Sequence, residues 1–224
     1  MVATMSKNSI QTAIAEADGL IKAGRHRQAD MLLSSAIMTA SNAPALRRRL
    51  GILRAQQMDY PGARRELEAA ASLAPNNASV LQPLAFVYDR MDLPVLARAA
   101  AERLLEVAPD NSAAFSLLAG MAKPGEDHST MLDGITRAIS RTETRANDKA
   151  RLGFAGGRLA HLAGDPARAF AFFESANQAH TAQDDAAGRA ALANRLINAF
   201  SKVSWPDFQP RAQLILLTGA PGSG

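Results

Sequence analysis

The residues best suited to chemistry lie at 214–224, LILLTGAPGSG, where a compact apolar run passes at once into a glycine-rich stretch. LILLT has the length and composition of a buried parallel strand, and glycine bounds it. Gly219, Pro221, Gly222, Ser223 and Gly224 then stand where a strand would hand over to a helix. Backbone N–H groups converge at such a junction, and the chemistry they favour is the binding of a phosphate-like anion. Other chemistry is thin. His26, His128, His161 and His180 are scattered and form no HExxH or paired-ligand spacing, so no metal site is expected. His161 reads as a packing or groove residue rather than a general base. Asp184 and Asp185 precede a helical pattern and read as capping or first-turn charges, not a catalytic pair. Gly153, Gly156 and Gly157 lie within a helical pattern and not after a strand, so they are no dinucleotide fingerprint, and close helix packing accounts for them. No catalytic residue is assigned.

The elements that must position such a loop are read from composition first. The residues are 47% hydrophobic but only 5% aromatic, and alanine recurs along most of the chain, which favours helices packed through small side chains. A net charge of +4 and a pI near 9.8 would suit an anionic partner, yet acidic residues are interspersed with basic ones and no long basic block appears, so nucleic acid is not the expected partner. Cysteine is absent, which excludes disulfides, thiol catalysis and cysteine-ligated metals. The first residues lack the apolar core of a signal peptide and no stretch approaches a membrane span, so the expected setting is the cytoplasm without a membrane partner.

Two stretches, 46–77 and 80–111, repeat each other at a period of 34 residues. Leu50 and Leu84, Gly51 and Ala85, Asp59 and Leu93, Ala63 and Ala97, and Pro75 and Pro109 all obey it. Each stretch shows two helical patterns separated by a short break, and so reads as a helical hairpin. Pro75 and Pro109 cannot continue a helix and end each unit. Gly51, Ala85, Ala63 and Ala97 would let two backbones come close, with Leu50, Leu67, Leu84 and Tyr88 filling the space around them.

This period and its small-large-small pattern resemble the tetratricopeptide repeat, with Leu81 where that family usually has tryptophan and Tyr88 at its tyrosine position. The second repeat places Arg47 and Arg54 at those two aromatic sites. A first repeat over 13–44 carries Ala29, Leu33 and Ala36 at second-helix positions, with its cap proline displaced to Pro44. The fourth, 113–140, is interrupted by a Lys-Pro-Gly loop that shifts the register, and the fifth returns at 150–180 with Gly164 and Asp165 at its turn, then Ala169, Phe173 and Ala176. The resemblance implies an all-α fold, a right-handed α-solenoid of about five hairpins over 8–202 capped by a helix over 184–200. It also implies a concave groove for a protein or peptide, and carrying the family's inner positions through the register points to Arg48, Gln82, Phe86, Asp89, Arg90, Arg158 and His161. Arginine and aromatic side chains in a concavity can hold carboxylates and apolar anchors together. The run Arg47, Arg48, Arg49 spreads around its helix and reads as a wetted face.

After the repeats, residues 203–212 carry two prolines and read as a linker, and 213–224 as the first strand and loop of an α/β domain. The loop resembles two families. In sulfotransferases it is similar to GxPRSGTT, and in P-loop kinases and ATPases to GxxxxGK[ST], of which GAPGSG would be the first six residues. Gly222 stands where the sulfotransferase motif usually has arginine. The succession of repeats, GDPARAFAFFESAN, a helix ending LINAF, a linker and an apolar strand resembles the bacterial tetratricopeptide-sulfotransferase proteins. That resemblance implies that Gly219 and Pro221 to Gly224 align with the loop that wraps the donor 3'-phosphoadenosine 5'-phosphosulfate. The base, the 3'-phosphate site and the acceptor site would lie downstream. These 224 residues alone are therefore expected to be inactive, a truncated or fragmentary chain whose lone strand has no sheet to join. Three readings follow: the front of a sulfotransferase, a free-standing peptide-binding scaffold, or a repeat domain fused to a P-loop kinase or hydrolase.

Overall fold

Four turns of one build set the architecture. At 23–25, 57–59, 91–93 and 163–165 a helix ends, the middle residue takes a left-handed backbone, and the next helix begins. In each, the last turn residue donates its N–H five residues back, Arg25 to Leu20, Asp59 to Arg54, Leu93 to Tyr88 and Asp165 to Ala160. Gly24 and Gly164 hold the left-handed position at φ 74° and 77°, where glycine carries no steric penalty. Met58 and Asp92 hold the same position in the other two turns at φ 63° and 55°.

The computed structural model describes residues 6–181 other than Thr142, together with 191, 193–195 and 198. The expected linker, strand and glycine-rich loop at 203–224 lie outside the described residues, as do Asp184, Asp185 and most of the expected capping helix, of which 191, 193–195 and 198 are helical. The chain divides into Met1–Gln183 and Asp184–Gly224, and the account below concerns the first unit.

Within it the helices are α1 (Lys7–Lys22), α2 (His26–Thr39), α3 (Pro44–Gln56), α4 (Tyr60–Leu73), α5 (Ala78–Arg90), α6 (Pro94–Val107), α7 (Ser112–Met121), α8 (Ser129–Ser140), α9 (Ala146–Leu162) and α10 (Pro166–Thr181). They pair in sequence as five helical hairpins, and each hairpin packs on the next. Starts are written in capping residues. Ser6, Asp59, Asn77 and Asn111 each accept a backbone N–H of the first turn that follows. Pro75 and Pro109 stand one residue past the caps that end α4 and α6, as their type requires. Pro44 differs from its expected role: it opens α3 at the first helical position and does not close α2, because its missing N–H is one the first turn never uses.

The core is a chain of leucines and alanines. Leu33, Leu46, Leu50 and Leu53 fill the first two hairpins, Leu67, Leu84, Val87 and Leu104 the middle, and Phe115, Ile135, Leu152 and Leu159 the last two. Small residues bring the paired helices together. A Cβ at Gly51 would stand 2.6 Å from the Leu67 Cγ, and one at Gly153 2.7 Å from the Ala176 Cβ and 2.9 Å from the Phe172 carbonyl oxygen. Gly156 and Gly157 meet the rings of Phe172 and Phe173 in the same way. Tyr88 is buried, and its hydroxyl donates to Glu68 Oε1 at 2.9 Å.

The fourth hairpin breaks the pattern. Its connection runs over 122–128 instead of three residues, closed by His128 Nε2 against the Lys123 carbonyl at 3.0 Å. Because α7 also ends early, α9 still begins 34 residues after α7, at Ala146 against Ser112, and Gly134, Ile135 and Ala138 stay in register with Ala100, Ala101 and Leu104. A slip of four enters only at the last turn, since α9 has 17 residues where α5 has 13. The shorter α7 then leans on α9, which packs against α7, α8 and α10 together.

Two outcomes are expected. Gly153→Val drives a branched side chain into the α10 backbone and lowers stability in thermal or urea melts by about 1–3 kcal/mol; an unchanged melt would contradict the close approach. Burial, and then the bond to Glu68, push the Tyr88 phenol from 10.0 up to about 12. Folding therefore favours the protonated phenol, and the stability this adds is full below pH 10.0 and lost as pH rises through about 12. A tyrosinate absorbance step near pH 12, with helical circular dichroism intact and absent in Tyr88→Phe, is the expected reading.

Candidate binding groove

The first helix of each hairpin lines one face of the unit, and α3, α5, α7 and α9 stand side by side along it. They enclose an open groove of about 850 Å³. Three rows of the repeat form its surface. Arg48, Gln82 and Ser116 make one, Ile52, Phe86 and Gly120 the next, and Pro83, Leu117 and Arg151 the third, each member 34 positions from its neighbour. Phe86 remains 51% exposed although apolar, and beside it Gly120 supplies no side chain at all. A Cβ there would meet nothing within 4 Å, so the gap is open space.

Backbone chemistry adds an acceptor. Pro83 sits inside α5, and both Pro83 and Ser79 line the groove. Proline has no N–H, so the Ser79 carbonyl loses the donor that an ordinary helix residue four positions on would supply. The groove wall thus carries a helix carbonyl that lacks its usual donor.

The arginines divide sharply. Arg47 and Arg49 are not a wetted face as expected. Arg47 reaches Glu66 at 3.0 Å and Arg49 pairs with Asp18. Arg54 binds Asp30 at 3.1 Å and Glu66 at 3.3 Å. The two arginines at aromatic sites of the second repeat therefore tie α3 to α2 and α4 through half-buried carboxylates, and Arg47 also donates to the Ser41 carbonyl. Arg48, between the paired two, is half-buried in the groove wall and makes no ion pair or side-chain hydrogen bond among the described residues.

Of the residues expected in the groove, Arg48, Gln82, Phe86 and Asp89 line it together. Arg90 lies over the Tyr60 ring at 6.0 Å, outside the lining. Arg158 donates to the carbonyls of Ala119 at 2.7 Å and Gly120 at 3.3 Å, so it caps the C-terminus of α7. His161 is exposed in the last turn of α9. Gly219, Pro221, Gly222, Ser223 and Gly224 lie outside the described residues. Sequence reasoning missed Ile52, Pro83, Gly120 and Arg151. The period does place Ile52 and Gly120 one step on either side of Phe86, and Arg151 in one row with Pro83 and Leu117, each 34 positions apart. Arg151 Nη1 lies 3.4 Å from the Ser112 hydroxyl, which donates at 2.5 Å to Asp148. Among the described residues no three metal-ligating side chains converge, and no helix is long and apolar enough to cross a membrane.

No family model matches the chain, and no curated protein is similar to it. Solved structures are. YrrB, described as a TPR protein with an unusual peptide-binding site, is 17% identical over 78% of this chain and 86% of its own, with a TM-score of 0.57. The fold is that of the tetratricopeptide-repeat solenoids. A MamA crystal structure is 17% identical over 75% of this chain and 95% of its own at a TM-score of 0.58, and MamA 41-end from Desulfovibrio magneticus RS-1 is 19% identical over 81% and 100% at 0.59. At these identities the likeness is one of fold.

The ion cluster behind the groove generates an expectation of its own. Arg54→Ala strands Asp30 half-buried, leaves Glu66 with Arg47 alone and lowers stability by about 1–3 kcal/mol, less than for a fully buried pair. Urea melts of the two proteins at low and high salt check it, the difference shrinking as salt is added.

Proposed function

We propose that this tetratricopeptide-repeat unit is an interaction scaffold that holds an extended segment of a partner protein across α3, α5, α7 and α9. The observation that carries the reading is the combination of an exposed Phe86, an open gap at Gly120 and the unpaired Arg48 within one concavity. An extended chain offers an N–H for the Ser79 carbonyl and alternate side chains for the gap and the rim. The peptide-binding site that the YrrB description names supports the same use of this fold. Peptides selected from a random displayed library on the intact chain should bind with affinity lost in Phe86→Ala and restored in Phe86→Tyr. Selected peptides that bind Phe86→Ala equally well would overturn it.

A second reading concerns 213–224. LILLT followed by Gly219, Pro221, Gly222, Ser223 and Gly224 supports a donor loop for 3'-phosphoadenosine 5'-phosphosulfate at the front of a sulfotransferase domain, joined to the repeats by a linker at 203–212 and working in the cytoplasm. In that arrangement the scaffold recruits the acceptor or a partner for sulfuryl transfer. The reading frame past residue 224 separates the possibilities. Thr-Thr and an α/β-patterned extension support the sulfotransferase, Lys-Ser or Lys-Thr replaces it by a P-loop kinase or ATPase, and a stop codon leaves the scaffold alone.

A further inference from the structure

The groove's charges and its gap say more about the occupant than that it is a peptide. We infer that the bound segment is acidic around an apolar anchor: a bulky side chain seated between Phe86 and Gly120, with carboxylates toward both ends reaching Arg48 and Arg151. This rests on the peptide-groove reading above and specifies its ligand.

Charge complementarity comes first. The groove lining carries two guanidinium groups, Arg48 on α3 and Arg151 on α9, against the single carboxylate of Asp89. Both arginines stand toward the N-terminal ends of their helices, whereas Asp89 is the last residue but one of α5. Within the groove lining the two cations therefore lie toward one end and the carboxylate toward the other, with Asp110, Glu143 and Asp148 adjoining Arg151 from outside that lining. Around Arg48 the fold has used up its nearby carboxylates, whereas Arg151 has Asp148 beside it through Ser112 and shares a shallow pocket with Asp110 and Glu143. Asp18, Asp30, Glu66 and Glu68 are engaged by Arg49, Arg54, Arg47 and Arg64. Arg48, half-buried and without a carboxylate among the described residues, keeps its desolvation cost, which an incoming carboxylate offsets through a charge-assisted bond, whereas Arg151 is exposed and offers a second, weaker contact.

The anchor follows from shape. Ile52, Phe86, Leu117 and Met121 give an apolar floor interrupted by the gap at Gly120. No residue of the described chain fills it. Since α3 and α9 are the outermost helices of the groove, a segment that touches both arginines crosses three helix steps. At about 10 Å per step and ~3.4 Å per extended residue, that is roughly nine residues. Lysine at the anchor's flanks would face Arg48 and Arg151, and like charges at close range disfavour it.

The test uses synthetic peptides of roughly nine residues with both ends blocked, so that no terminal carboxylate contributes. One carries Phe at the centre and Glu toward each end; the others replace Glu by Gln, Glu by Lys, or Phe by Ala. Fluorescence anisotropy with the intact chain should show the Glu peptide binding at least about tenfold more tightly than the Gln peptide, the Lys peptide weaker still, and the advantage shrinking with salt. Arg48→Gln and Arg151→Gln should each lose much of the Glu preference, read on each variant as the ratio of its affinities for the Glu and Gln peptides. Gly120→Leu, which has room for its side chain, should abolish the Phe-over-Ala preference without lowering the melting temperature. Equal binding of the Glu and Gln peptides, or a Glu preference unmoved by both arginine substitutions, would overturn the inference. Library-selected peptides that need Phe86 but carry no acidic residues would sink this inference and leave the peptide groove standing. Acidic peptides indifferent to Phe86→Ala and Arg48→Gln alike would sink both.

Discussion

Everything in this unit depends on how closely two helices of a hairpin can approach. Gly51 against Leu67, and Gly153, Gly156 and Gly157 against α10, are positions where a side chain would meet neighbouring atoms at less than van der Waals separation. Glycine costs about 1 kcal/mol in a helix relative to alanine, a cost offset here by the apolar area that close packing removes from water. Once the pair is closed, its remaining apolar faces can be buried only on the next pair. Leu33, Leu67, Leu104 and Leu159 are fully buried for that reason. Repetition of one local solution produces the solenoid, and the solenoid leaves the inner face of each first helix toward the concavity.

Binding capacity arises from what the core leaves over. Arginine replaces aromatic residues at two sites of the second repeat, and the chain supplies Asp30 and Glu66 to receive it. Such half-buried pairs add little net stability, but they fix geometry: α3 is held at both ends by neighbours, which leaves Arg48 presented to the groove. Arg158 shows the opposite fate. It occupies an inner-face position, yet it is consumed in capping α7, whose premature end at Met121 leaves carbonyls without donors. The concave face thus carries one arginine available to a partner, and beside it one committed to the fold.

Much of this was legible in the sequence. A 34-residue period, proline after each second helix and small residues at fixed offsets specify hairpins, because each feature is local and acts within a few residues. The fifth hairpin and its Gly164 turn were readable for the same reason. What escaped was set by tertiary partners. Nothing in Arg47-Arg48-Arg49 tells which arginine will find a carboxylate, since Asp18 and Glu66 come from other helices. Pro44 looked like a helix terminator displaced by a few residues and serves as a helix start. Arg151 stands in the row of Pro83 and Leu117, each 34 positions apart, but that this row meets the groove depends on how α5, α7 and α9 are turned against one another. Pro83 was silent in sequence because its consequence, a carbonyl without its usual donor on the concave face, depends on where α5 turns that side.

The central claim is that the concave face, and within it the Phe86 and Gly120 gap between Arg48 and Arg151, receives the partner. Isotope-labelled chain titrated with a library-selected peptide, and followed by amide chemical shifts in nuclear magnetic resonance, tests it most directly. The account expects the largest shifts at Arg48, Gln82, Phe86, Gly120 and Arg151, with the outer helices α4 and α6 unmoved. Shifts concentrated on α4 and α6, with Phe86 and Gly120 unaffected, would contradict it.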